Sequence, residues 1–112
     1  MNEAERKALS YLGFAARAGR VSIGVPLCCE ALKKRDSGAK KDPVIVLFAS
    51  DASESSKKRI KDRTTYYGVA AREISVTCEA LATAVGKRGG SVAAVLVSEP
   101  SLATAISALY EE

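Results

Sequence analysis

The stretch VIVLFASDASE, residues 44–54, decides the fold class. Val44 to Ala49 is an unbroken apolar run, rich in β-branched residues and without polar alternation. A strand wetted on one face alternates, whereas a strand covered on both faces does not. Six apolar residues are also far too few to cross a bilayer. Immediately afterwards Asp51 and Glu54 stand three apart, the pattern of an N-cap and its capping box. The sequence therefore predicts a doubly covered strand feeding a helix that runs to about Tyr67 and stops at Gly68.

Moving outward, VAAREI (residues 69–74) and VAAVLV (residues 92–97) predict further strands. A helix from about Thr77 to Val85 separates them, with Cys78, Leu81 and Val85 spaced along it. SEPSLATAISALYEE closes the chain as a helix, with Ser98 as its N-cap. Strands alternating with helices argue for a parallel-rich sheet covered on both faces. Toward the N-terminus, Glu3 to Ala18 reads as a helix. Ala8, Leu9, Leu12, Ala15 and Ala16 form its stripe, and Gly19 offers a C-terminal cap. Phe14 lies off the stripe, as a contact aromatic or as the mark of a helix buried on more than one side.

RVSIG (residues 20–24) predicts a short strand or turn, and Gly24 allows a sharp reversal. Pro26 suits the first position of the helix that follows, which runs to about Arg35. Leu27, Cys28, Ala31 and Leu32 share the face expected to be core. Cys29, Glu30, Lys33 and Lys34 point away, with Glu30 and Lys34 spaced for a pair. Adjacent cysteines on a helix diverge, so Cys28 and Cys29 make a poor disulfide or metal clamp. RDSGAKKDP, residues 35–43, reads as a polar linker.

At 112 residues the chain fits a single domain, residues 1–112, with 47% hydrophobic and 27% charged residues. Seventeen Lys and Arg against thirteen Asp and Glu give a net charge of +4, a modest bias toward polyanions. Histidine is absent, which removes the commonest general base and the commonest zinc ligand. Three cysteines suit a reducing compartment, and the N-terminus MNEAERKALS lacks the build of a signal peptide. A cytoplasmic protein is expected.

No acid pair, phosphate-loop or metal-ligand spacing is present. GKRGGS lacks the four-residue gap before Gly-Lys that a P-loop needs. Ser50, Asp51 and Glu99 lie at expected strand ends, yet no partner there would activate a hydroxyl. An enzyme is not expected, nor a cofactor or metal. Binding fares better: the Arg17–Arg20 corner, the Gly24 helix entry and GKRGG combine positive charge with exposed N–H groups. Five of the seven residues Lys57 to Arg63 are basic. They form either a solvated helix face or a nucleic-acid patch.

Several phrases together, LGFAARAGR, IGVPLCCEAL, VLFASDASESSKKRIKD, YYGV and ALATAVGK, resemble the kink-turn-binding ribosomal protein family, the large-subunit "seven-A-e" family. The likeness is to its small bacterial, ribosome-associated branch. The resemblance implies a three-layer α/β/α sandwich around a mixed four-stranded sheet. It implies that RNA would meet Gly24 to Glu30 and the loop Lys87 to Val92. Members that grip sheared G·A pairs do so through a Gly-x-Asn-Glu motif and a lysine one turn on. Here Gly24 matches the glycine, while Pro26, Leu27 and Glu30 stand at the asparagine, glutamate and lysine positions. Proline and leucine side chains offer no hydrogen bonds to a base edge, and one lost bidentate contact costs about 1–3 kcal/mol.

The expected function is a small non-enzymatic RNA-binding protein on or near the ribosome, with kink-turn specificity weakened. Its partners would be ribosomal or other structured RNA, with ribosomal proteins nearby and no membrane. Arg17, Arg20, Lys33, Lys34, Lys87 and Arg88 would supply phosphate contacts. Gly24 would allow close backbone approach, and an exposed Val25-Pro26-Leu27 tip would touch unstacked bases. The alternative is a protein–protein adaptor or dimerisation module that kept the fold and lost RNA recognition.

Overall fold

A computed structural model describes residues 2–38 and 42–110. Its elements, in chain order, are α1 (Glu3–Arg17), β1 (Val21–Ile23), α2 (Val25–Ser37), β2 (Ile45–Ala49), α3 (Glu54–Tyr67), β3 (Ala70–Ile74), α4 (Cys78–Ala84), β4 (Ala94–Val97) and α5 (Pro100–Leu109). The strands form one sheet in the order β1-β4-β2-β3. The β2–β3 pair is parallel, while β4 runs antiparallel to both β1 and β2.

The central strand explains its own sequence. Ile45, Leu47 and Ala49 enter one core with residues of α1, α4 and α5, whereas Val46 and Phe48 enter a second with residues of α2 and α3. All five residues of β2 are buried, so neither register of the strand could be polar. The result is the three-layer sandwich with a mixed sheet. The parallel-rich sheet expected from alternation is corrected to one parallel pair. A parallel crossover must carry the chain back to the opposite sheet edge. Instead α4 has only seven residues, and Val92 N–H bonds back to the Cys78 carbonyl at 3.0 Å. The chain thus re-enters the sheet where β2 and β3 leave it, and β4 must run the other way.

Local signals along the helices need three corrections. Ser53, not Asp51, caps α3 by accepting from Ser56 N–H at 3.2 Å. Glu99, not Ser98, caps α5 through Leu102 N–H at 2.6 Å. Ser98 instead donates its hydroxyl to the Arg20 carbonyl at 3.1 Å. The third concerns α2, whose buried residues are Val25, Cys28, Cys29 and Leu32. These follow the i, i+3, i+4, i+7 rule counted from Val25, so the inward arc is centred between Cys28 and Cys29. Leu27 lies on the opposite side and is 53% exposed, while Cys29 is core.

The helix also reaches Ser37, past Arg35, and takes the first residues of the expected linker. Residues 39–41 of that linker lie outside the described residues, as do residues 111 and 112 of the closing helix. At the other terminus α1 opens with a capping box, Asn2 accepting from Glu5 N–H at 2.9 Å and Glu5 answering at 3.3 Å. The second Glu5 oxygen accepts from Ser75 N–H at 2.8 Å, which fastens α1 to the exit of β3.

Candidate nucleic-acid interface

One edge of the sheet gathers the amino ends of three helices and one basic loop. Gly24 N–H donates to the Ala94 carbonyl at 2.8 Å, so the entry to α2 abuts the first residue of β4. Ala49 N–H bonds the Ala93 carbonyl at 2.9 Å and Ser50 N–H the Val76 carbonyl at 3.1 Å. The chain leaving β2 toward α3, and that leaving β3 toward α4, therefore open at the same edge. Between α4 and β4 the loop turns at Gly86 and Gly89, both at φ +84°, and closes with Gly90 N–H on the Lys87 carbonyl at 2.9 Å. Lys87 and Arg88 are exposed on it.

Helix amino ends carry unsatisfied N–H groups and a partial positive charge. Here α1, α3, α4 and α5 each receive a side-chain cap, from Asn2, Ser53, Thr77 and Glu99. Only α2, among the described residues, begins without one. Its N-cap is Gly24, at φ +95° and ψ 153°, a conformation nearly restricted to glycine. The sequence thus leaves the first turn of α2 bare at the edge where Lys87 and Arg88 emerge.

The sequence-nominated residues divide in space. Gly24, Pro26, Leu27, Lys87 and Arg88 share this edge. Arg17, at the carboxyl end of α1, lines a hollow of about 360 Å³ with Thr83, Val85 and Gly86, so it meets the start of the basic loop rather than the α2 entry, and its guanidinium lies 5.0 Å from the Phe14 ring centre. Phe14 is 51% exposed, so α1 is not buried on a second side there. Arg20 lies at the other end of β4, where Val21 pairs with Val97 and Arg20 Nη2 donates to the Ser98 carbonyl at 3.2 Å. Lys34 lies two turns further along α2 than Leu27, lining one hollow with Ser22 and Ser98 and another with Leu27, and pairing with Glu30 at 3.3 Å. Lys33 is exposed beside it, about 14 Å along α2 from Gly24 at 1.5 Å per residue. Val25 is core, so the expected exposed tip reduces to Pro26 and Leu27.

Ser50 and Asp51 do not meet Glu99, because antiparallel β4 sends Glu99 to the far end. Asp51 accepts from Cys78 N–H at 2.7 Å and so links the β2 exit to α4. Hydrogen bonds from Cys78, first its thiol and then its backbone N–H, hold the Asp51 carboxyl below its usual 3.8. Burial, then the Asp51 bond and charge, pushes the Cys78 thiol up. Burial, with Cys29 alongside, pushes Cys28 up to about 12, and its Sγ donates to the Ser22 carbonyl at 3.4 Å. Neither thiol is held as a nucleophile. Among the described residues no three His, Cys, Asp or Glu side chains gather as metal ligands, and no helix is long and apolar enough to cross a membrane. The Asp51–Cys78 link had no sequence signal, since the residues lie far apart in the chain.

A mixed sheet between helix layers, with a glycine-entered helix beside the loop before the last strand, is the "seven-A-e"-like architecture that the motifs resemble. No family model matches the chain. Over 75 residues it is 41% identical to the RNA-binding protein YlxQ of Enterococcus faecium, covering 66% of this chain and 67% of that one. The chain belongs to the YlxQ family. A protein of unknown function from Bacillus halodurans C shares 25% identity and the same fold, with TM-score 0.78 over 94% of this chain and 97% of its own. The Giardia lamblia 15.5kD RNA binding protein superposes at TM-score 0.72 over 97% of this chain and 86% of its own. At 18% identity that likeness is one of fold alone.

Proposed function

We propose that the chain is a non-enzymatic RNA-binding protein, cytoplasmic and working on or near the ribosome, that meets structured RNA at the edge between Gly24 and the loop of Lys87 and Arg88. The observation that carries this is the uncapped amino end of α2, bonded through Gly24 to the start of the strand that the Lys87–Arg88 loop enters. Its free N–H groups suit phosphate or a base edge. The name of the Enterococcus relative supports RNA as the polyanion. The ribosomal setting, with ribosomal RNA or proteins as neighbours, follows from the resemblance.

Pro26 and Leu27 replace hydrogen-bonding side chains with apolar ones, and Glu30 brings a negative charge to the same helix. The site therefore holds RNA by backbone charge, shape and contact with unstacked bases rather than by reading G·A pairs. Lys87 and Arg88, with Arg17 beside Gly86 at the start of their loop, are the proposed phosphate contacts. Neutralising three phosphates gives a slope of log K against log salt of roughly −2.7 on duplex RNA, using about −0.9 per phosphate. Titrating a short RNA hairpin at several salt concentrations tests the reading. A slope near that value supports it, and no binding of the hairpin would favour the adaptor alternative.

A further inference from the structure

α3 carries a face that the edge site does not use. Arg59, Asp62, Arg63 and Tyr66 are spaced i, i+3, i+4 and i+7, so they line one side of the helix. Tyr66 is 80% exposed, yet its ring is braced by Tyr67 in an edge-to-face contact at 4.9 Å and 88°. Tyr67 in turn packs against the core shared by α2 and α3. Beside Tyr66 lies a hollow of about 260 Å³ lined by Asp62, Arg63 and Tyr66.

The charges of α3 sort into two groups. Lys57 is committed to the fold, donating to the Ser50 carbonyl at 2.7 Å and pairing with Glu73 at 3.3 Å. Lys58 holds Asp62 Oδ2 at 2.8 Å, which leaves the second carboxylate oxygen to accept elsewhere. Arg59 and Arg63 are exposed and enter no ion pair among the described residues. A lone exposed tyrosine is ordinary. A braced ring over a hollow, with a carboxylate acceptor and two unpaired guanidinium groups, is the chemistry of a stacked base with its phosphates.

We infer that this face of α3 is a second RNA contact, taking one unstacked base of a single strand that leaves the edge site. The base stacks on Tyr66, Asp62 accepts from an exocyclic amine such as that of cytosine, and Arg59 and Arg63 meet the adjoining phosphates. Continuity favours one RNA for both surfaces. α3 starts where β2 reaches the edge, and Tyr66 lies about 20 Å along it at 1.5 Å per residue. The inference rests on the RNA-binding reading above.

The test compares a blunt RNA hairpin with the same hairpin bearing a single-stranded oligocytidine tail, against the wild-type protein, Tyr66→Ala and the double variant Arg59→Gln/Arg63→Gln. The tail is expected to tighten wild-type binding by about tenfold, within the range that aromatic stacking of a base supplies. Tyr66→Ala should lose that gain while binding the blunt hairpin like wild type. The double variant should show a tailed-hairpin salt slope shallower by about 1.4, at about 0.7 per single-strand phosphate. A tail that adds nothing to wild type, or adds equally to wild type and Tyr66→Ala, overturns the α3 contact and leaves the edge site standing. Failure of wild type to bind either hairpin overturns both readings.

Discussion

The amide of Gly24 donates to the carbonyl of Ala94 at 2.8 Å, so the entry of α2 and the start of β4 are one structural unit. Everything at the edge follows from that bond. It sets the bare first turn of α2 against the strand that the loop of Lys87 and Arg88 delivers.

Gly24→Ala should therefore damage both folding and binding. A Cβ at Gly24 would meet only the Pro26 ring at 4.0 Å, so space is adequate. The cost is conformational, because φ +95° with ψ 153° is essentially reserved for glycine. Urea unfolding should show a loss of about 1–3 kcal/mol. An unchanged midpoint would mean that this backbone geometry is not required.

The turn of α2 that sends Leu27 outward gives a paired prediction. Leu32 is fully buried, and Leu32→Ala should cost about 2–5 kcal/mol. Leu27→Ala should stay within about 0.5 kcal/mol of wild type. It should nevertheless weaken RNA binding without changing the salt slope, since it removes an apolar contact and no charge. Similar stability losses for the two variants would contradict the orientation of the helix.

Two lysine-rich segments that look alike in sequence should behave differently. Lys87→Ala with Arg88→Ala should reduce the salt slope by about 1.8 on duplex RNA. Lys33→Ala with Lys34→Ala should leave it near wild type, because both lie well along α2 from the edge. Filter binding at several salt concentrations separates the two outcomes.

The buried thiol predicts how stability falls in alkali. Cys28 is pushed up to about 12 in the fold against 9.0 when free. Above pH 9 the unfolded chain sheds this proton while the native chain keeps it, so stability falls as pH rises from 9 toward 12. Cys78 and Tyr110 are raised as well and add in the same direction. The urea midpoint should drop over that window, and less steeply in Cys28→Ala. Parallel curves for the two proteins would remove Cys28 from the account.

Much of the fold was legible because it is written locally. The unbroken run before Ala49 marked a strand covered on both faces, and Gly68 marked the end of α3. What was not legible depended on the third dimension. Strand direction turned on whether short α4 could cross the sheet, which periodicity does not report. Asp51 and Ser53 are both good caps two residues apart, and the bond to Cys78 drew Asp51 away. The inward side of α2 is counted from Val25, and a stripe counted from Leu27 points the wrong way. For the candidate site, the Gly24 entry and the basic loop were both visible as segments. Their meeting at β4, and the distance of Arg20, Lys33 and Lys34 from it, needed the sheet order.

The most direct measurement is a titration of the pure protein with a kink-turn RNA, beside the same RNA with its G·A pairs disrupted, at two salt concentrations. On the proposal that Pro26, Leu27 and Glu30 stand where the resemblance places the base-reading groups, both RNAs should bind with similar affinity and weaken together as salt rises. Tight binding that vanishes when the G·A pairs are disrupted would contradict this, and would show that the α2 entry reads those pairs without the side chains assigned to the task.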